Sequence, residues 1–283
     1  MALTSEIADM RPVSTQTNIQ WIARFGYAAR GMVYLLAGIF SFSASITGSG
    51  ESVGPKGALG KTFELPYGGA IVYALAAGLV CFAGWRAVQG IYDPDRFTCG
   101  ASSLARRVFV YGGSSLLHLG LAVIAINIAL AAHASDEDRQ ARDWTAWLLS
   151  HPFGQGLTVM VGLGIAIGGL ALAVQAIRGK FGDNLREAHK EKKWIVVFGR
   201  AGFASRGVVL VLVGAFLIKA AWQYDPDQAT GIAGALQALQ GTSYGSPLLG
   251  ITAIGLACFG LFELGQAARR RLPVRSAPSS QPA

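Results

Sequence analysis

The sequence predicts an all-α polytopic membrane protein, with six transmembrane helices arranged as three parallel two-helix repeats around a pseudo-threefold axis. Three observations predict it. The 283-residue chain is 52% hydrophobic, only 14% charged and holds 37 glycines, whereas a soluble domain carries about a quarter charged residues. Six apolar stretches, at roughly 25–46, 67–90, 107–132, 155–177, 201–222 and 247–268, each reach the length that crosses a hydrocarbon core. Segments of the chain also recur at fixed offsets.

The first stretch opens with "RFGYAARGMVY", Arg24 to Tyr34, which sets Arg30 directly before the uncharged run Gly31 to Ile46. The fifth opens in the same way with "RAGFASRGVVL", Arg200 to Leu210. Between the first two stretches lies "GALGKTFELPYG", Gly57 to Gly68, matched at an offset of 177 by "GALQALQGTSYG", Gly234 to Gly245. The middle copy, "DWTAWLLSHPFG", Asp143 to Gly154, keeps the aromatic and the glycine at an offset of 86. These connecting segments have the apolar spacing of short interfacial helices that cover the bundle, with Trp144 and Trp147 suited to the membrane boundary. The same offsets align Gly78 with Gly164 and Gly255, and Gln89 with Gln175 and Gln266, in the second helix of each unit. The repeats are therefore expected at about 21–92, 104–178 and 197–269, with 270–283 as a disordered tail. Parallel repeats are related by an axis along the membrane normal. None of the apolar runs alternates as a barrel strand does, so helices satisfy the backbone here.

The net charge of +8 fits a topology signal better than nucleic-acid binding. Assigning the termini and the second and fourth connections to one side collects 19 of 24 basic residues there, leaving Lys56, Lys61, Arg139, Arg142 and Lys219 opposite. The acids divide evenly. Both termini are thus expected in the cytoplasm, and the basic runs can attract anionic lipids. The polar N-terminus with Glu6 and Asp9 lacks the form of a cleaved signal, so the first helix is expected to stay attached. Cys81, Cys99 and Cys258 form neither a disulfide framework nor a metal spacing.

The paired arginine segments, the two "GAL…YG" segments and the glycine-bearing second helices resemble the family called domain of unknown function 1206. The resemblance covers nearly the whole chain. It implies a multi-pass protein of the bacterial cytoplasmic membrane built of repeated helix pairs, and it implies no particular chemistry. The middle unit departs from the pattern, with Gly112 or Gly113 expected where the other units have Arg30 and Arg206.

Arg30 and Arg206 are read either as helix-end residues that snorkel to the head groups or as an inward pair that binds an anion or lipid head group. The following glycines let a neighbour approach closely. Arg86 and Glu263 occupy equivalent positions and are expected to pair within the membrane; a proton or ion pathway is the sharper alternative. Gln89, Gln175 and Gln266 cap helix ends or form a polar ring. His118 and Asn127 are expected to hydrogen-bond across helices, since no second histidine in a facing helix supports haem. Gly78, Gly164, Gly168 and Gly255 are expected at close helix contacts, with Gly164 and Gly168 forming a GxxxG. The acidic run from Asp136 to Asp143 lacks a calcium-loop pattern and reads as solvated.

No nucleophile elbow, P-loop, zinc-protease or dinucleotide motif is present. The reading is a noncatalytic scaffold, sensor or lipid-binding membrane protein without cofactor, metal or nucleic-acid partner. The alternative is a transporter or channel along the pseudo-threefold axis.

Overall fold

Charges are sparse and glycines frequent in the apolar stretches, so the backbone must satisfy itself within helices that pack closely. The computed structural model describes residues 13–47, 52–92, 107–131, 137–179 and 189–269; Cys99, Asp136 and the expected tail 270–283 lie outside them. The helices are α1 (Val13–Thr47), α2 (Pro55–Phe63), α3 (Gly68–Tyr92), α4 (Gly113–Ala131), α5 (Glu137–Leu149), α6 (Gly154–Arg178), α7 (His189–Gln223), α8 (Ile232–Gln240) and α9 (Gly245–Arg269). A π-helical turn, Arg107–Gly112, leads into α4, and a short 3-10 turn, Pro226–Gln228, precedes α8. No strand occurs among the described residues. Six helices are long and apolar enough to cross a membrane: Gln20–Thr47, Gly68–Ile91, Val110–Leu130, Gly154–Arg178, Lys193–Gln223 and Gly245–Arg269.

These six pack in the order α6, α7, α9, α1, α3, α4, each on the next. That is the cyclic order of three repeated pairs, interrupted at one place. The interruption falls between α4 and α6, the two long helices of the middle unit, which do not pack on each other among the described residues. The most buried spans are accordingly α1 and α9, and the least buried are α4 and α6.

Glycine sets close junctions between units, where the second helix of one unit meets the first helix of the next. A Cβ on Gly31 of α1 would lie 2.8 Å from the carbonyl oxygen of Gly260 in α9. At the equivalent junction, a Cβ on Gly169 of α6 would lie 2.7 Å from the carbonyl oxygen of Gly207 in α7. Any side chain at these points forces the backbones apart, so small residues are a steric requirement. The third junction of this kind, α3 with α4, uses Ala83 and Ser115, with Ser115 Oγ donating to the Ala83 carbonyl at 2.8 Å.

This spatial register places Ser115 beside Gly31 and Gly207, and therefore Ser114 where Arg30 and Arg206 stand. The expected Gly112 or Gly113 is corrected by one or two residues. The first and second helices of the middle unit sit at different offsets from unit one, which a single offset does not capture.

The short helices close one end of the bundle. Lys56 Nζ on α2 donates to Gln140 Oε1 on α5 at 3.1 Å, and Asp138 Oδ1 on α5 accepts from the backbone amides of Gly231 and Gly234, at 2.8 and 3.2 Å, where α8 begins. Asp138 is therefore a helix cap, a correction to the solvated loop expected there. Just past α2 and α5, Tyr67 and Phe153 adopt left-handed φ of 61° and 66° and are almost fully exposed. The glycines that follow, Gly68 and Gly154, lie against the carbonyls of Thr62 and Leu148, where a Cβ has no room. The repeated aromatic–glycine pair is thus the turn that carries the chain from a capping helix into the next span.

Replacing Gly207 by leucine should lower stability by roughly 1–3 kcal/mol through overpacking, while Gly156→Leu, in open space on the same helix pair, should leave it nearly unchanged. Thermal unfolding in detergent checks both.

Candidate functional site

Charges are confined to a few positions within the spans, and the fold gathers four of them. Arg30, Arg86, Arg206 and Glu263 all lie in the half of their spans away from the capping helices. Counting from Gln20 at about 1.5 Å per residue, Arg30 lies about 15 Å along its span. It is buried, with 5% exposure, and Glu263 is 3% exposed.

Arg30 Nη1 donates to Glu263 Oε1 at 2.9 Å. The ion pair joins α1 to α9 at the centre of the helix row. Around it stand two phenylalanines at equivalent positions, each one helical turn before a charged residue: Phe82 before Arg86 and Phe259 before Glu263. The Arg30 guanidinium carbon lies 4.8 Å from the Phe82 ring centroid and 5.0 Å from that of Phe259. Arg86 is 5.1 Å from Phe82, and Arg206 is 4.4 Å from Phe259. The contacts therefore run Arg86, Phe82, Arg30, Phe259, Arg206. Tyr34 adds a ring face 4.9 Å from Arg206, and Tyr111 lies 5.8 Å from Arg86.

Each ring contact contributes about 0.5–2 kcal/mol, whereas removing a charge from water costs several kcal/mol. Rings alone do not offset that burial, so the carboxylate of Glu263 is the decisive partner for Arg30. Arg206 has no carboxylate partner among the described residues and rests on aromatic faces. Several buried atoms are left without a hydrogen-bond partner among the described residues: Arg30 Nε, Trp85 Nε1, Glu263 Oε2 and Gln266 Oε1. Such groups call for water or a ligand.

His118 extends the cluster from α4. Its Nδ1 lies 2.7 Å from the Ser114 carbonyl, which can only accept, so Nδ1 carries the proton. Its ring packs 4.6 Å from Phe82, as Tyr34 packs 4.9 Å from Phe259. His118 and Tyr34 are thus equivalent, which confirms the register that puts Ser114 in place of a third arginine.

The anticipated residues fall into place unevenly. Arg30 and Arg206 come together on Phe259. Glu263 pairs with Arg30 rather than with Arg86, whose Nη1 donates to Gln89 Oε1 at 3.3 Å. The physical reason is the packing order, since α9 lies directly on α1 while α3 lies on its other side. Gln89 and Gln266 are buried, but Gln175 is exposed on α6, so the three amides form no ring. Gly78 and Gly255 sit at close contacts with Ala29 and Ser205. Gly164 and Gly168 instead face open space, and Gly162 and Gly169, seven residues apart on another face of α6, make the junction with α7. Asn127 is exposed on α4, and His118 bonds within its own helix rather than across helices. Phe82 and Phe259 were the missed members. Their signal was available at the offset of 177 that links Arg86 to Glu263.

The family model for a domain of unknown function, DUF1206, matches the chain three times, at residues 25–93, 109–179 and 201–270. An uncharacterized protein of Bacillus subtilis (strain 168), YxxB, is 29% identical over 250 residues, covering 86% of this chain and 90% of that protein. No solved structure matches. The chain belongs to the DUF1206 family.

Removing one member of the central ion pair should be costly, and removing both should not. Glu263→Leu leaves a buried guanidinium without its carboxylate and is expected to destabilise by about 3–5 kcal/mol. The double change Arg30→Met with Glu263→Leu removes both charges and should recover most of that loss, read as a coupling energy in a double-mutant cycle.

Proposed function

From membership of a family without assigned activity, we propose that this protein is a noncatalytic membrane protein that binds the head group of an anionic phospholipid at the arginine and phenylalanine cluster. The observation that carries this reading is Arg206. Its guanidinium lies within a membrane-length helix against Tyr34 and Phe259, with no carboxylate partner among the described residues. A phosphate supplies the missing negative charge, and charge-assisted bonds from guanidinium to phosphate are among the strong ones. Glu263 Oε2 and Gln266 Oε1, both buried acceptors without partners among the described residues, suit hydroxyl donors beside that phosphate. A glycerol head group offers both.

Access favours a lipid over a soluble anion. The helix row is interrupted between α4 and α6, which is a sideways route from the bilayer, while α5 bonds to both α2 and α8 across one end. A one-sided site reached laterally fits these features better than a pathway through the bundle. The bias of basic residues supports placing the cluster and both termini toward the cytoplasm, in a bacterial plasma membrane.

The test uses the purified full chain in neutral detergent. Phosphatidylglycerol is expected to raise the unfolding temperature and phosphatidylcholine is not; saturating a site a hundredfold above Kd stabilises by about 2.7 kcal/mol. Arg206→Gln should abolish the lipid-dependent rise while keeping the lipid-free unfolding transition. An equal response to both lipids, an undiminished response in the variant, or full stabilisation by inorganic phosphate alone would each overturn the lipid reading.

A further inference from the structure

Units one and three join their own two long helices through the same residues. Gly26 of α1 lies against Phe82 of α3, where a Cβ would meet the Phe82 backbone nitrogen at 2.6 Å, and Gly202 of α7 lies against Phe259 of α9, with a Cβ 2.5 Å from its Cα. One turn away, Ala29 meets Gly78 and Ser205 meets Gly255. A large residue on the second helix enters a gap left by glycine on the first, and small residues meet beside it.

The register established by Ser115 and His118 identifies Gly113 on α4 and Gly168 and Gly164 on α6 as the corresponding residues of the middle unit, and the match of Phe109-Val110-Tyr111 to Phe25-Gly26-Tyr27 adds Val110, in the π-helical turn before α4. The sizes are complementary and reversed. Val110 stands where the others have glycine, Gly168 stands where they have phenylalanine, and Gly113 and Gly164 preserve the small pair. Yet a Cβ added at Gly113, Gly164 or Gly168 would meet nothing within 4 Å, and Val110 is 55% exposed. Five of the six junctions that a closed ring needs are made among the described residues, and this is the sixth.

We propose that α4 and α6 form a lateral gate that closes within one chain, with Val110 seated on Gly168 and Gly113 against Gly164. The partner for each open face is the other helix of the same unit, tethered to it through α5. That short helix is pinned over the bundle by Asp138 on the start of α8 and by Gln140 to Lys56, so α6 is held near the ring while open. Closure carries Gln175, now exposed, toward the buried level of Gln89 and Gln266. It also turns Gly168 and Leu172 inward at the positions occupied by Phe82 and Arg86 in unit one. Gly168 leaves room beside the arginines rather than filling it, and Leu172 brings no further cation to the cluster. The gate stands independently of what the arginines bind.

Cross-linking in native membranes tests it, using the full chain with Cys81, Cys99 and Cys258 replaced by serine. Gly113→Cys with Gly164→Cys is expected to form a disulfide within one chain on oxidation, and Ala29→Cys with Gly78→Cys, a pair already in contact, serves as the folded control. Gly168→Phe should cut the Gly113–Gly164 yield by roughly tenfold through overpacking against Val110. Adding Val110→Gly recreates the size pattern of units one and three and should restore the yield. The proposal is overturned if the control bonds and the test pair does not, or if the bond joins two chains, which would make this face a contact between copies. It is equally overturned if Gly168→Phe leaves the yield unchanged. Loss of phosphatidylglycerol binding with normal cross-linking would overturn the lipid reading alone.

Discussion

The structure depends on one buried guanidinium. Arg30 sits on the most buried pair of helices, α1 and α9, and its charge is tolerable there because Glu263 reaches it at 2.9 Å and two phenyl rings line its surroundings. A desolvated arginine demands partners from several directions at once, and α1 itself supplies only the more distant ring of Tyr34, 5.8 Å away. The carboxylate and one ring come from α9 and the other ring from α3. The ion pair therefore couples the first helix to the last long helix of the chain, and the requirement to satisfy Arg30 specifies which helices flank α1. Without that demand, apolar helices in lipid have little to distinguish one neighbour from another.

Glycine provides the second constraint, and between repeats it sets backbone against backbone. Gly31 with Gly260 and Gly169 with Gly207 bring backbones together where the second helix of one unit meets the first helix of another. Contacts within a unit combine a large residue in a glycine gap, as Phe82 at Gly26, with a small pair, as Ala29 and Gly78. This division explains how a middle unit can lose its internal contact while the row holds together. Each of its helices remains fastened to a different neighbouring unit, α4 through Ser115 to α3 and α6 through Gly169 to α7. Separation at the middle unit thus leaves the close contacts between units in place.

Much of the architecture was legible because its physics is periodic. Apolar length gave six spans, fixed offsets gave three units, and the recurring aromatic–glycine pair marked a turn whose glycine has carbonyls where a side chain would go. Partner identity was less legible. The pairing of Arg86 with Glu263 followed from their equivalence in the repeat, but equivalent residues on α3 and α9 both face α1, and the charge that lies between those helices belongs to Arg30. The GxxxG of Gly164 and Gly168 carried the right chemistry on a face without a neighbour, while Gly162 and Gly169, spaced by two turns, faced α7. Spacing reveals that two residues share a helix face; it does not reveal whether another helix occupies that face. Ser114 was hidden for a related reason, because helices of one unit that pack on different neighbours need not keep one common offset.

Divergence of the middle unit then acquires a physical meaning. Three copies of unit one would place six arginines, the equivalents of Arg30 and Arg86, and three phenylalanines around one axis, crowding like charges together. Here Ser114 removes one guanidinium, Glu263 exchanges one cation for an anion, and Gly168 removes one ring. The first two changes reduce the repulsion among like charges, and the third frees volume on the one helix that is not fastened to its own partner. The loss of symmetry is concentrated where the ring is open, on the side of the cluster that α4 and α6 flank. A fold stabilised by repetition thereby keeps its rigidity in five junctions and reserves its freedom for the sixth.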